Sequence, residues 1–543
     1  MHVTRRFHAA WIERGDCLPS SSMLRRLFTN LRADPRRVEV PTAPALETST
    51  PPLGEDGLVA LQNWLKWDRL PALDINAVLA DETRARAATL LAQANGEDTA
   101  EYILRERIET TEPDGADLIL LAEIFLRRGK NTEAGALLDG LASFAPASRA
   151  RAACIKGQLD FDRGDFILAR RWVNIALEFA PHSAAVQLLN GTLLEVEGRL
   201  DEAEKQLRAL IAARPEDFSA RISLGVLLER KGLKVQSLQE LVTADTLARA
   251  PDAEIPQWDG RDLDQDTMLI TTNAGIGDIL QGLRYVKPVR TQAARARLVL
   301  WTRQELAAVA RLTGLFDDVR TDPVLDSSEF DWQISLERLT FRHFAIGPAL
   351  PMEQPYVHCA TERLQAMRAA LERATEIADA NTPGPRPLRV GLRWSGARSS
   401  YDARRSIPRD LLRPLFGVPG VAWVALLERG HPEIPWLHEG AFPLIDMSAS
   451  LTDLADTAAL MHNLDLVISV DTSTAHLAGA VGARCWLLSR PDADARWGLE
   501  SEQSTLYDSV QIFRHPGRID WRHIIADCAR QLAALATPSS TRN

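Results

Sequence analysis

Between residues 82 and 252 the apolar positions fall into paired helical stripes. Gly96, Gly129, Gly164, Gly198 and Gly232 recur with a period of about 34 residues, and Pro113, Pro146, Pro181, Pro215 and Pro251 keep the same period. One amphipathic stretch precedes each glycine and another lies between it and the next proline, so each unit predicts two helices. Residues 185–217, AVQLLNGTLLEVEGRLDEAEKQLRALIAARPED, show the pattern well. The glycine ends the first helix and the proline follows the second, where helix does not continue. Small residues such as Gly191 and Ala203 sit where helices cross closely. A solenoid of such units presents a long concave surface to a peptide or protein partner.

After IPQWD at 255–259 the pattern changes to short apolar runs alternating with helical stretches. An apolar strand at Thr267–Thr272 runs into Asn273-Ala274-Gly275-Ile276-Gly277-Asp278, and a helix is expected from Ile279 to Val286. Gly275 and Gly277 allow a sharp turn and close approach of a ligand, but the third glycine of a dinucleotide fingerprint is absent. Strands are predicted at 297–301, 316–320 and 331–335, then a helix at 360–378. The Pro/Gly-rich loop 378–387 reads as a hinge. Beyond it, strands are predicted at 388–394, near 421–427 and 442–446, and at 509–513, with helices at 451–463 and 519–536. Strand–helix alternation on both sides of a hinge predicts two doubly wound sheets whose strand C-termini line a cleft.

Chemistry concentrates in residues 465–497. Leu466–Val470 is an apolar, β-branched run of the kind expected for a strand buried on both faces. Asp471 ends it, Thr472, Ser473 and Thr474 offer caps for a helix over Ala475–Val481, Gly482 stops that helix, and Cys485–Leu488 is the next strand. Such a turn sets backbone N–H groups at a helix N-terminus, which suits a phosphate, and the hydroxyls at 472–474 and the His476 imidazole add donors. The ligand this suggests is a nucleotide or nucleotide-sugar; the alternative is an ordinary capped turn with no ligand.

Composition narrows the classes. The chain has 543 residues, with 63 basic and 73 acidic ones giving a net charge of −10, which carries no nucleic-acid footprint. No run of 18 apolar residues predicts a transmembrane helix. Arg5-Arg6 near the start is followed by Glu13, Arg14 and Asp16 rather than an apolar segment, so no secretory signal is expected. Five scattered cysteines form neither a disulfide framework nor a CxxC metal site. A cytoplasmic location is expected. Residues 1–75 comprise a mildly basic N-terminal segment, with a short helix expected at Met23–Leu31, and a Pro/Thr-rich linker at 38–56.

The 34-residue helix-turn-helix period resembles the tetratricopeptide repeat. With IPQWDG at 255–260, GIGDILQGLRY at 275–285, GLRWSG at 391–396, YDARRSIP at 401–408 and DLVISVDTSTAHLAGAVG at 465–482, the chain resembles bacterial tetratricopeptide-repeat glycosyltransferases. Their catalytic part is similar to the heptosyltransferases of glycosyltransferase family nine. The resemblance implies an α-helical solenoid at 82–252 followed by a GT-B α/β enzyme of two Rossmann-like domains, an acceptor side at 254–378 and a nucleotide-sugar side at 388–543. It implies Asp278 as general base. It implies a donor site of Asp471, Thr472, Ser473, Thr474 and His476, with Arg405 and Ser406 on a loop across the same edge, Trp394 and Ser395 at a strand end, and Arg496. It further implies a nucleotide-sugar co-substrate with no cofactor or metal, and a protein acceptor on the concave face of the repeats, flagellin being one acceptor in the family. Asn273-Ala274-Gly275 and Asp494-Ala495-Arg496-Trp497 depart from the family's Glu-Gln-Gly and Asp-Trp-Arg-Trp, which leaves open CMP-nonulosonic acid and UDP-, GDP- or ADP-sugars. Asp492-Ala-Asp494 spells a metal-binding DxD but belongs to a different fold and is read as coincidence. Two other readings stand beside this one: a heptosyltransferase-like enzyme acting on a surface glycan, and a non-catalytic repeat adaptor with a nucleotide-sugar-binding domain.

Overall fold

A computed structural model describes residues 97–537, apart from 111–114, 248–253, 273, 323–325, 341–353, 380–385, 397–401, 441, 491–493, 498–500 and 516–519. The expected helix at Met23–Leu31, the linker at 38–56, Gly96 and most of the hinge loop lie outside these residues. The chain divides into two compact units, one holding the repeats as far as Ser223, the other holding Leu224–Leu247 and everything from Asp252 onward.

The repeats are antiparallel helix pairs. They comprise α1 Glu97–Thr110, α2 Gly115–Arg127, α3 Asn131–Leu137, α4 Pro146–Arg163, α5 Phe166–Phe179, α6 Ala184–Val196, α7 Leu200–Ala213, α8 Phe218–Arg230 and α9 Lys234–Leu247. Gly129, Gly164, Gly198 and Gly232 follow α2, α4, α6 and α8 with φ of 72°, 84°, 78° and 77°, the left-handed conformation that closes a helix and favours glycine. Pro181 and Pro215 follow α5 and α7 as expected, whereas Pro146 opens α4, where its missing N–H costs nothing. Gly191 lets α6 meet α7: a Cβ there would stand 3.4 Å from Leu207 Cδ2.

The second unit carries two parallel sheets. The first has the order β3-β2-β1-β4, from β1 Thr267–Thr271, β2 Arg297–Trp301, β3 Asp318–Arg320 and β4 Trp332–Ser335. Gln257 bridges Gln333, so the IPQWD segment runs beside β4 as an extra edge. Helices α10 Ile276–Gly282, α11 Val286–Gln292, α12 Gln304–Arg311 and α13 Thr361–Asp379 belong to this half. The second sheet has the order β10-β9-β8-β5-β6-β7, from β5 Leu388–Arg393, β6 Val421–Ala425, β7 Leu444–Asp446, β8 Leu466–Val470, β9 Cys485–Ser489 and β10 Val510–Arg514. Its helices include α14 Leu454–His462, α15 Ser473–Val481 and α16 Trp521–Ala536.

Strand order reverses between β1 and β4 in one sheet and between β5 and β8 in the other. Open α/β sheets bind ligands at the strand C-termini beside such reversals. Side chains alternate across β8: Leu466, Ile468 and Val470 face one core while Val467 faces another, so this strand is apolar on both faces. The core on the Val467 side also takes Ile279 and Leu283 from the first half and Leu477, Val481 and Ile512 from the second. The two sheets therefore share one continuous core here, where the sequence pattern suggests an open cleft. No described helix is long and apolar enough to cross a membrane.

Candidate functional site

The turn after β1 and the turn after β8 meet. Helix α10 begins at Ile276 with Gly275 as its N-cap, three residues before the expected start. Asp278 therefore lies within the first turn and does not cap the helix. A Cβ on Gly277 would fall 2.7 Å from His476 Cδ2, so the missing side chain is what lets α10 close on α15. Helix α15 begins with Thr472 as its N-cap residue, but that hydroxyl makes no capping bond. It turns back instead toward Val470 O, at 3.4 Å, and Ser469 Oγ, at 3.3 Å. Gly482, with φ of 74°, ends the helix as its sequence position predicts.

Arg496 ties the two halves together. Its Nη1 lies 2.5 Å from Asp278 Oδ1 and 3.0 Å from Gln281 Oε1, and its Nη2 lies 2.6 Å from Asp494 Oδ2. Burial disfavours the charge on Arg496, but the carboxylates of Asp494 and Asp278 outweigh it and hold the guanidinium pKa well above its ordinary value. The expected base is thus paired with a residue expected to bind the donor. Asp494 serves this pair; Asp492 lies outside the described residues, and among those described no group of three or more His, Cys, Asp or Glu is placed to hold a metal ion.

His476 is buried beside this pair. Its ring lies against Trp497, centroids 4.6 Å apart and planes 34° apart, and its Nδ1 is 3.1 Å from Tyr507 Oη. Trp497 Nε1 donates to Asp471 Oδ1 at 3.1 Å, and Arg405 Nη1 donates to Asp471 O at 2.8 Å. Gly275, Gly277, Asp278, Asp471, Thr472, Ser473, Thr474, His476, Arg405 and Arg496 are therefore gathered at the facing ends of β1 and β8. Ser406 Oγ accepts from Gly396 N at 3.2 Å, which ties Ser406 to the end of β5. Ser395 is buried there, and its Oγ has no hydrogen-bond partner among the described residues.

Trp394 goes elsewhere. Its Nε1 donates to Glu433 Oε2 at 3.1 Å and its ring meets the edge of Trp436, so this indole packs into the second core of the sheet beside Trp436. Burying a large ring and satisfying its N–H with one carboxylate accounts for that placement. Residues without a role in the sequence reading complete the cluster. Tyr507, Tyr356 and Arg284 form a buried group behind His476, and Gln281 and Asp494 flank Arg496. Arg284 and Gln281 stand inside the GIGDILQGLRY motif and Trp497 directly follows Arg496, so those three are within reach of the sequence; Tyr356 and Tyr507 have no local signal.

No family model matches the chain. Protein FlbA of Caulobacter vibrioides is 28% identical over 387 residues, which cover 64% of this chain and 61% of FlbA. The chain thus matches less than two thirds of that relative's length. Among solved structures, the glycosyl transferase family 9 protein from Veillonella parvula aligns with 47% of this chain and 87% of its own, at 14% identity and a TM-score of 0.35. YrrB, a TPR protein with an unusual peptide-binding site, aligns with 30% of this chain and 84% of its own, at 19% identity and a TM-score of 0.23.

Proposed function

We propose that this protein is an inverting glycosyltransferase of GT-B architecture, which moves a sugar from a nucleotide-sugar to a Ser or Thr hydroxyl of a protein held on the concave face of its repeats. The observation that carries this reading is the meeting of Asp278, from the end of β1, with Arg496 and the Thr472–His476 turn at the end of β8. A carboxylate and a set of cationic and N–H donors stand together where two parallel sheets present their strand C-termini, which is what transfer from a phosphate leaving group requires. The acceptor oxygen attacks the anomeric carbon and its proton passes to Asp278. The bond from that carbon to the phosphate oxygen breaks, and the electron pair leaves with the nucleotide. Arg496 and the N-terminus of α15 stabilise the charge growing on that phosphate. Gly275, Gly277, Thr472, Ser473, Thr474, His476 and Arg405 line the donor side, and Ser395 and Ser406 stand beside it. The reaction needs no cofactor or metal in this reading, and it takes place in the cytoplasm.

Flagellin as acceptor and a CMP-nonulosonic acid as donor are the pair the family resemblance suggests. The repeats favour a protein acceptor over the surface-glycan reading, because a glycolipid has no need of a peptide groove. The test is transfer by the purified chain from CMP-, UDP-, GDP- and ADP-activated sugars to flagellin, followed by the mass of the intact acceptor. Asp278→Asn keeps a hydrogen-bond partner for Arg496 and is expected to lower turnover at least a hundredfold, as loss of a general base does, with folding preserved. Transfer that survives Asp278→Asn unchanged overturns Asp278 as base. No transfer from any of the donors, with the nucleotides also failing to bind, favours the adaptor reading.

A further inference from the structure

The turn that leads into Asp278 is held from both sides by charged side chains. In the first sheet β1 lies between β2 and β4, with Thr271 opposite Trp301 on one side and Ser335 on the other. Two residues beyond those partners stand Arg303, the N-cap residue of α12, and Glu337. They converge on Ala274. Arg303 Nη2 donates to Ala274 O at 3.0 Å, and Ala274 N donates to Glu337 Oε1 at 3.2 Å. Both backbone polar groups of this buried residue are thus taken by side chains from opposite neighbours. Just before it, the buried hydroxyls of Thr272 and Thr302 meet at 3.1 Å and tie the end of β1 to the end of β2.

Peptide units are planar, so holding the Ala274 N–H and C=O fixes the planes on either side of its Cα. The next residue, Gly275, is the N-cap of α10, and its carbonyl accepts from Ile279 N at 3.0 Å. The direction in which the chain enters α10 is therefore set at Ala274, and Asp278 follows within the first turn of that helix. Arg496 holds the Asp278 carboxylate from the second half, and the clamp on Ala274 holds its backbone from the first. Burial lowers the Arg303 pKa, and the exposed Glu305 offsets this only in part. The Arg303 guanidinium bonds a carbonyl and, among the described residues, no carboxylate. Such a cation is costly to place, and costs of this kind concentrate at functional sites.

We propose that Arg303 and Glu337 are positioning residues, which clamp the two backbone groups of Ala274 and thereby aim the Asp278 carboxylate at the acceptor oxygen. They act through Asp278 and not on the substrate. The base in this statement rests on the glycosyltransferase reading; the clamp does not.

The experiment measures transfer to flagellin by the full chain, with whichever of the CMP-, UDP-, GDP- and ADP-activated sugars the wild type uses. Glu337→Gln keeps the length and the accepting oxygen and gives up the charge. Glu337→Asp keeps the charge and gives up the reach. The clamp predicts a kcat within about twofold of the wild type for Glu337→Gln and a drop of roughly ten- to a hundredfold for Glu337→Asp, with KM for the donor unchanged in both. Arg303→Met is expected to lower kcat by a similar factor, and to have no further effect in an Asp278→Asn background, because it acts through that carboxylate. Glu337→Gln as slow as Glu337→Asp, or Glu337→Asp as fast as the wild type, overturns the proposal. So does an Arg303→Met effect that persists in full without Asp278. If Arg303→Met fails to fold, the two Glu337 variants still decide. If the wild type transfers none of the sugars, the glycosyltransferase reading falls, and hydrogen exchange at the Ala274 amide judges the clamp. Faster exchange in Glu337→Asp than in Glu337→Gln supports it, and equal rates overturn it.

Discussion

Arg496 and Asp278 form the pivotal pair at the scale of single residues. Each side chain is 11% exposed, and a buried pair that loses one member leaves a charge without compensation. Arg496→Met leaves Asp278 and Asp494 facing each other without their cation and is expected to destabilise the second unit by about 3–5 kcal/mol, measured by denaturant unfolding. A change under about 1 kcal/mol would mean that the pair is solvated and does not bind the two halves together. Glu433 makes a prediction about pH. Burial raises its pKa, but hydrogen bonds from Arg409 and Trp394 outweigh this and leave it lowered. A depressed carboxylate contributes stability above its unfolded pKa and loses it as pH falls through the folded one. The stability gap between the wild type and Glu433→Gln should therefore be full at neutral pH and shrink below about pH 4, in unfolding curves taken across that range. Asp278, His476 and Arg496 are legible in the sequence because each stands in a local motif. Trp394 reads there as a pocket residue because an aromatic at a strand end looks the same whether it faces ligand or core. Glu433, which claims that indole, is 39 residues away in the chain. Tyr507 escapes notice for the same reason, since 31 residues separate it from the imidazole it touches.

Elements are legible wherever backbone chemistry marks them. The repeat glycines are the clearest case. Gly198 has φ of 78°, and nothing lies within 4 Å of the position a Cβ would take. Gly198→Ala therefore meets no steric clash and costs only the left-handed backbone, about 1 kcal/mol in thermal or denaturant unfolding. Gly479→Ala is a different case. Its Cβ would collide with the Tyr507 ring, and repacking of α15 is expected to cost about 1–3 kcal/mol or more, with loss of nucleotide binding. A harmless Gly479→Ala would contradict the packing of Tyr507 on α15. The parallel strands are readable because both of their faces are buried, leaving short apolar runs between turns. The hydrophobic pattern reveals less at α12 and at the single helical turns Asp402–Arg405, Arg413–Phe416 and Ile434–Leu437. Pieces of four residues complete barely one turn and leave no periodicity to read. The start of α10 is also hidden, because Gly275 and Gly277 read as a loop while Ile276-Gly277-Asp278 already has helical geometry.

At the scale of the molecule, a run of paired helices followed by two parallel sheets is present in the linear pattern. The closeness of those sheets is not, because nothing in that pattern reports that Ile279 and Leu477 enter the same core. That closeness brings the turn after β1 onto the turn after β8 and makes one site of two motifs. The central claim is that this site binds the nucleotide of an activated sugar. Thermal unfolding of the full chain with CMP, UDP, GDP and ADP in turn tests it most directly. One of the four, at a hundredfold excess over its dissociation constant, is expected to stabilise the protein by about 2.7 kcal/mol, and Thr474→Val or His476→Gln is expected to abolish the shift. No stabilisation by any of the four, or a shift that both substitutions leave intact, would contradict the account.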